Sequence, residues 1–551
     1  MSQKHRIRLL TLTLIGTMLT GNMAMVAYAA PAQGSLPGVE ISRTKEYLER
    51  ERLARQIAED IARKQEKVEG QRTETTKPIK EEVSFVLTKI ITDKSQILDE
   101  KELAKLTNSY EGRTILVRDL YELVGKINQL YNERGYLTCR AILPPQTIKQ
   151  GVAHIRLLEG KTGKVTVEGN KTTKERYITR RLHLKQGDIA NINTLNKDLL
   201  LFNGTNDVQL RIKMKAGSVA GTTDYELTAW EPQKQTWTVY SDNGGSTNSG
   251  EYRGGLFFTD HSLSGNRDTL TLSTLDSKGM KSFSSSYSRE IGRSGTKLNL
   301  LYSTNSVKII SGDLEPLNVR GHANSYTVGL VQPLIVNETT RAEAGLEYNH
   351  QNSKTDYLGI HWLDDTENDV TASFALTNYG TSHIFYQKHS YVAGGYHDLN
   401  DRDTQYGMYK FSGLYQKTYK HGQMLNDRLD AQWASAHYLP SARQFYIGGA
   451  YSVRGYEENL LSGDSGYSLN LEYSIPLNTK NVAAYAFYDQ GGVYGDSAFE
   501  NHILNSLGIG VKATLAKKIY ANLALGWPLR RDINGTVVDG SRVHFVINGT
   551  F

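Results

Sequence analysis

Residues 543–551, Val543-His544-Phe545-Val546-Ile547-Asn548-Gly549-Thr550-Phe551, close the chain on a dyad: Val543, Phe545, Ile547 and Phe551 share one face of an extended strand, and the last residue is aromatic. The same alternation recurs upstream, in Leu270-Thr271-Leu272-Ser273, Leu298-Asn299-Leu300 and Leu469-Asn470-Leu471-Glu472-Tyr473, separated by Asn, Asp, Gly and Ser turns. No amphipathic helix interrupts the pattern between residues 233 and 551. A soluble sandwich of that length would have to divide into several domains, whereas a membrane barrel with one face on lipid needs this alternation throughout. At about 10 residues per spanning strand plus turns and loops, the region accommodates about 14 to 18 strands; sixteen is the central expectation, since bacterial barrels have even numbers.

Further outward, toward the N-terminus, the chemistry changes. Lys4, Arg6 and Arg8, an apolar run from Leu9 to Met18 and the small-residue site Ala27-Tyr28-Ala29 read as a signal peptide over residues 1–29, too short in its apolar core for a spanning helix. Residues 30–80 form an N-terminal helix and linker: charges of mixed sign run from Glu46 to Glu69 around a thin stripe of Leu48, Leu53, Ile57 and Ile61, and Thr73 to Pro78 lacks periodicity. From Val83 to Ile90 comes a strand, then a short helix at 99–106 and a longer one whose Leu116, Leu120, Leu123, Val124, Ile127, Leu130 and Tyr131 trace one face. Gly135 stands where a helix-ending glycine belongs, and strands follow at 136–143 and 151–158. The order β-α-α-β-β recurs after Gly160. Two α+β modules of about 75 residues, 81–160 and 161–232, are therefore expected ahead of an all-β transmembrane barrel at 233–551.

Within the barrel region, Gly448-Gly449-Ala450-Tyr451-Ser452-Val453-Arg454-Gly455-Tyr456 resembles the inward-folded loop signature of two-partner secretion transporters, with Val453, Arg454, Gly455 and Tyr456 as its core. Phe487-Tyr488-Asp489-Gln490-Gly491 is similar to the strand motif of the same superfamily, carried by Phe487, Asp489 and Gly491. Tyr240-Ser241-Asp242-Asn243-Gly244-Gly245, Leu143-Pro144-Pro145-Gln146 and Trp527-Pro528-Leu529 extend the resemblance over nearly the whole mature chain. It implies that the modules are POTRA domains in the periplasm, that the barrel sits in the outer membrane, and that an unfolded secreted partner, a TpsA-like exoprotein such as an adhesin or haemolysin, is caught by the modules and threaded through the lumen. Arg454 is expected to meet Asp489 on the barrel wall in a charge-assisted pair. The N-terminal helix is a candidate plug, although its apolar stripe is thin. Capture by β-augmentation requires an exposed strand edge, for which Gly151, Val152, Ala153, His154 and Ile155 are the candidate.

Other classes are poorly served by this sequence. The one cysteine, Cys139, allows neither an internal disulfide nor a multi-cysteine zinc site, and the 14 histidines form no H-E-x-x-H pair, so neither a metal nor another cofactor is expected. A net charge of +6 on 551 residues shows no nucleic-acid pattern. Gly463-Asp464-Ser465-Gly466-Tyr467 has Tyr where a nucleophile elbow needs Gly, and no helix follows Gly508-Ile509-Gly510, so no enzyme is indicated. The rival functions are an outer-membrane insertase, which would carry more modules, and a passive porin, which would need none.

Overall fold

The computed structural model describes residues 36–62, 83–398, 402–477, 481–496, 498, 502–516, 518–533 and 535–551. The expected signal peptide and the linker at 73–78 lie outside them. The chain divides into two compact units, one of residues 59–232 with 264–267, the other of residues up to 58, 233–263 and 268–551. The first helix, α1 (Pro37–Ala62), starts earlier than its charge pattern indicated, with proline at the first helical position, where its missing N–H costs nothing.

In the first unit, module 1 runs β1 (Ser84–Leu87), β2 (Lys89–Thr92), α2 (Glu100–Asn108), β3 (Arg113–Leu116), α3 (Val117–Glu133), β4 (Cys139–Ile142) and β5 (Val152–Glu159). Asp99 caps α2 by accepting the Lys101 amide at 2.9 Å. Gly135, at φ +82°, ends α3: its N–H donates to Asn132 O and that of Tyr136 to Tyr131 O, the paired bonds of a Schellman stop. Leu120, Leu123, Val124, Ile127 and Tyr131 turn inward as their spacing dictates and pack on Ile90, Ala153 and Ile155. The single strand expected at 83–90 is broken at Thr88, so that β1 pairs with β3 and β2 pairs in parallel with β5. Cys139 is buried, and burial, reinforced by the Glu159 carboxylate, pushes its thiol up to about 11.

The sheet order β2-β5-β4 corrects the expectation that Gly151 to Ile155 form an edge. That stretch is the sheet's centre: β2 takes one side of it, and on the other the Gln146 amide both accepts from the His154 N–H and donates to its carbonyl, each at 2.7 Å. The alternation of Ala153, Ile155 and Leu157 that made it legible as a strand is what a central, core-facing strand has.

Module 2 repeats the plan with β6 (Lys161–Glu168), α4 (Glu175–Thr179), α5 (Ile192–Thr205), β7 (Gln209–Ala216) and β8 (Thr222–Trp230), in the order β6-β8-β7 over a core of Ile178, Leu195, Leu199, Phe202, Leu210, Ile212 and Tyr225. In each module an asparagine of the longer helix covers a strand edge. Asn128 exchanges both amide bonds with Ala141 of β4, and Asn203 does so with Leu210 of β7. The modules join end to end: Ile192 N–H donates to Gly135 O, and the Asn191 side chain to Arg134 O, both at 2.8 Å, so the open start of α5 meets the open end of α3.

The second unit is a closed antiparallel barrel. Its strands are β9 (Gln235–Asp242), β10 (Arg253–Asp260), β11 (Thr269–Asp276), β12 (Met280–Ile291), β13 (Thr296–Lys308), β14 (Arg320–Val336), β15 (Thr340–Tyr357), β16 (Ile360–Tyr379), β17 (His383–His397), β18 (Asp403–Thr418) and β19 (Met424–Ala434). A short hairpin, β20 (Phe445–Ile447) and β21 (Leu461–Gly463), interrupts the wall before β22 (Ser465–Pro476), β23 (Val482–Tyr494), β24 (Ile503–Leu515) and β25 (Ile519–Pro528). A second small hairpin, β26 (Asp532–Ile533) and β27 (Thr536–Val537), precedes the closing strand β28 (Arg542–Thr550). Sixteen strands make the ring, as strand length and chain length indicated. Val543, Ile547 and Phe551 are exposed on the outer face, where lipid supplies their apolar surroundings, while His544 between them is buried toward the lumen.

Candidate functional site: the inward loop and the occupied lumen

The β20–β21 hairpin carries residues 448–460 into the barrel. Gly448, Gly449 and Gly455 have φ of +107°, +100° and +92°, so the loop's reversals fall where only glycine bends without strain. Behind the tip, Val453 and Tyr456 pack with Ile447, Leu461, Val493 and Leu504.

Arg454 is the tip's anchor. Its Nε donates to Asp489 Oδ2 at 2.7 Å and its Nη2 to Oδ1 at 2.9 Å, its own backbone N–H adds a third bond to Asp489 at 3.0 Å, and Nη1 reaches Glu472 Oε2 at 3.0 Å. Lys512 holds the other oxygen of Glu472. Three alternate positions of β23 then divide the work by simple parity. Phe487 lies under the guanidinium, 3.6 Å from Cζ to the ring centroid; Asp489 neutralises it; and Gly491 leaves room, since a Cβ there would sit 2.9 Å from Val453 Cγ2. The structure thus brings Val453, Arg454, Gly455 and Tyr456 together with Phe487, Asp489 and Gly491. Gly151 to Ile155 belong to module 1, in the other unit.

Several contributors carried no sequence motif. Tyr456 Oη lies within 2.9 Å of the Asn505 and Arg530 carbonyls. Gly455 approaches Gly526 of β25 backbone to backbone, and its N–H donates to His544 Nε2 at 2.9 Å. Strand parity alone identifies Glu472 and His544 as lumen-facing, because their neighbours Leu471, Tyr473 and Val543 are exposed apolar residues. The loops each one meets are set by tertiary structure.

Along its length to residue 58, α1 touches inward-facing side chains of the barrel. Arg43, braced within the helix by Glu40 at 2.9 Å, donates to Glu458 of the inward loop at 3.1 Å and to Gly244 O at 2.8 Å; Arg50 donates to Tyr451 O at 3.0 Å; Lys45 pairs with Glu347; and Glu49 pairs with Lys388 at 3.3 Å. Apolar contacts accompany these: Val39 and Ile41 are buried, Tyr47 meets Tyr240, Phe257 and Tyr451, and Leu53 and Ile57 meet Tyr379 and Ile384. Polar anchoring explains why the apolar stripe is thin. A cavity of about 430 Å³ remains beside the helix, with Lys388, Lys410, Arg428 and Asp430 among its lining. Among the described residues no group of His, Cys, Asp and Glu could hold a metal ion.

Comparison with known proteins agrees with this geometry. Residues 221–513 match the haemolysin secretion/activation protein family ShlB/FhaC/HecB, and residues 85–160 match the ShlB-type POTRA domain. The heme/hemopexin transporter protein HuxB of Haemophilus influenzae is 25% identical over 477 residues, covering 80% of this chain and 84% of its own. The outer membrane transporter CdiB of Dickeya dadantii is 24% identical over 515 residues, covering 83% and 86%. The solved structure of CdiB from Escherichia coli superimposes with a TM-score of 0.68 at 19% identity, covering 95% of this chain and 99% of that one.

Proposed function

Because this chain belongs to the haemolysin secretion/activation protein family ShlB/FhaC/HecB, we propose that its modules recognise an unfolded secreted partner and that the partner leaves through the barrel once α1 and the Val453–Tyr456 tip shift aside. It is an outer-membrane transporter of two-partner secretion, with its POTRA domains in the periplasm. The observation that carries the proposed mechanism is how α1 occupies the lumen. Ion pairs and hydrogen bonds hold it from Arg43 to Arg50, alongside the buried Val39, Ile41 and Ile57, and such polar contacts contribute little net stability once the desolvation of both charges is subtracted. A helix held in large part by polar contacts can be displaced by a competing chain at lower cost than a wholly apolar plug.

Capture is assigned to β7. In module 1 the β4 edge is covered by Asn128 at Ala141, and the β2 edge by Glu111, which accepts the Ile90 amide at 2.7 Å. In module 2, Asn203 covers β7 only at Leu210, and the edge from Ile212 to Ala216 pairs with no other strand among the described residues. An extended partner segment adds there through main-chain bonds that any sequence can make, and the side chains between them set the choice. Residues 1–29 direct the chain out of the cytoplasm, residues 30–80 serve as plug and tether, and the outer face of the barrel meets outer-membrane lipid. The protein acts without catalysis, cofactor or nucleic acid.

The test is export of a candidate secreted partner, chosen from the genes neighbouring this one, quantified inside and outside cells that make the wild-type transporter, Met214→Pro, or none. Proline removes the outward Met214 N–H yet is tolerated at an edge. Export that requires the transporter and drops with Met214→Pro supports both parts; full export with Met214→Pro refutes the β7 edge, and full export with no transporter refutes the function.

A further inference from the structure

The barrel's closing junction is its shortest. Pairing of β28 with β9 runs only from Val546↔Asp242 to Thr550↔Thr238, whereas β28 pairs with β25 from Gly549↔Ile519 to Arg542↔Gly526. Where the ladder stops, Asn243 continues it with a side chain: its Nδ2 donates to Val543 O at 2.7 Å and its Oδ1 accepts the Phe545 N–H at 2.8 Å. His544 lies between those two residues, 4% exposed, and its ring points to the lumen side, away from the strand partners.

There it meets the inward loop. Gly455 N–H donates to His544 Nε2 at 2.9 Å, which requires the neutral imidazole with its proton on Nδ1. Across the junction the same loop reaches β9, where Tyr451 Oη and Tyr240 Oη lie 3.0 Å apart, and Tyr240 Oη in turn donates to Asp242. The loop therefore touches both strands of the junction, β28 through Gly455 and β9 through Tyr451. Gly526 admits the tip against β25: a Cβ on it would lie 2.6 Å from Gly455 N. The Gly455 residue is buried, and among the described residues its amide bonds to no other acceptor.

We propose that His544 is a positioning residue for export: by accepting the Gly455 amide it seats the loop tip across the β28–β9 junction, so that the tip staples the first and last strands together in the resting pore, and withdrawal of the loop frees both the lumen and the junction. The inference rests on the secretion reading for its biological purpose, but the geometry makes a prediction about the partner-free pore alone.

The test compares wild type, His544→Leu and His544→Gln in planar lipid bilayers, with the ionic current in potassium chloride as the readout. Leucine and glutamine have similar bulk, but only glutamine offers an acceptor oxygen to Gly455. His544→Leu is expected to raise the open fraction about tenfold, the population change that follows when a buried amide loses its acceptor, and His544→Gln to return it toward wild type. Barrel assembly is checked by heat-modifiable gel mobility; if His544→Leu does not assemble, His544→Met, also without a strong acceptor, takes its place. If the variants with and without an acceptor behave alike, whether both closed or both open, the proposal is overturned. Current needs no partner protein, so failure here leaves the secretion reading standing, and failure of export leaves the current difference intact.

Discussion

Replacing Arg454 by alanine removes two side-chain bonds to Asp489, one to Glu472 and the cation stacked on Phe487. Glu472 keeps Lys512, but Asp489, 0% exposed, retains only the backbone N–H of residue 454. Stranding a buried charge in this way costs about 3–5 kcal/mol, which lowers the population of the seated tip by roughly a hundred- to five-thousandfold. Removing Asp489 as well relieves the stranded charge, so Arg454→Ala with Asp489→Ala should recover about 1–3 kcal/mol relative to the sum of the two single losses. The assay is a double-mutant cycle on the urea midpoint of the barrel refolded into lipid vesicles, with export measured in parallel. Single losses that simply add would refute the reasoning, because they would mean the two side chains do not sense one another.

Gly491→Ala drives a methyl toward Val453 Cγ2 and Ile447 Cγ2, and overpacking of that kind costs about 1–3 kcal/mol; thermal unfolding followed by gel mobility should show the loss while the strand register stays intact. Arg43→Ala frees α1 from Glu458 and Gly244 together, and bilayer recordings should show longer open events, with unchanged gating counting against α1 as the plug. Gly135→Ala places a Cβ 2.6 Å from Asn193 Nδ2 on a backbone at φ +82°, a conformation that alone costs about 1–2 kcal/mol for a non-glycine residue, and pulse proteolysis of the full chain should cut the modules sooner.

The barrel was legible because period two is a property of each strand by itself: whichever partner Leu471 and Tyr473 have, they face lipid together and Glu472 faces the lumen. The end of α3 was legible for the same local reason, since Gly135 is needed by the helix it stops. Pairing between strands was not. The break at Thr88 sends β1 and β2 into different sheets, and Gly151 to Ile155 became a central strand because β2 and Gln146, distant in sequence, take its two sides. The Arg454–Asp489 pair could be anticipated only from the resemblance; spacing alone does not bring residues on a loop and a neighbouring strand together. The fit of α1 was hidden because a hydrophobic-periodicity argument registers apolar faces, and this helix is held by Arg43, Lys45, Glu49 and Arg50.

The central claim is that this one chain moves an unfolded partner across a membrane unaided. It is tested most directly by reconstituting the purified protein in lipid vesicles, adding the urea-unfolded candidate partner chosen for the export test, and measuring the fraction that becomes protected from external protease until detergent is added. The account predicts protection that requires the transporter, needs no nucleotide and falls with Met214→Pro. Vesicles that protect no partner, while the same protein speeds the insertion of other barrels, would contradict it.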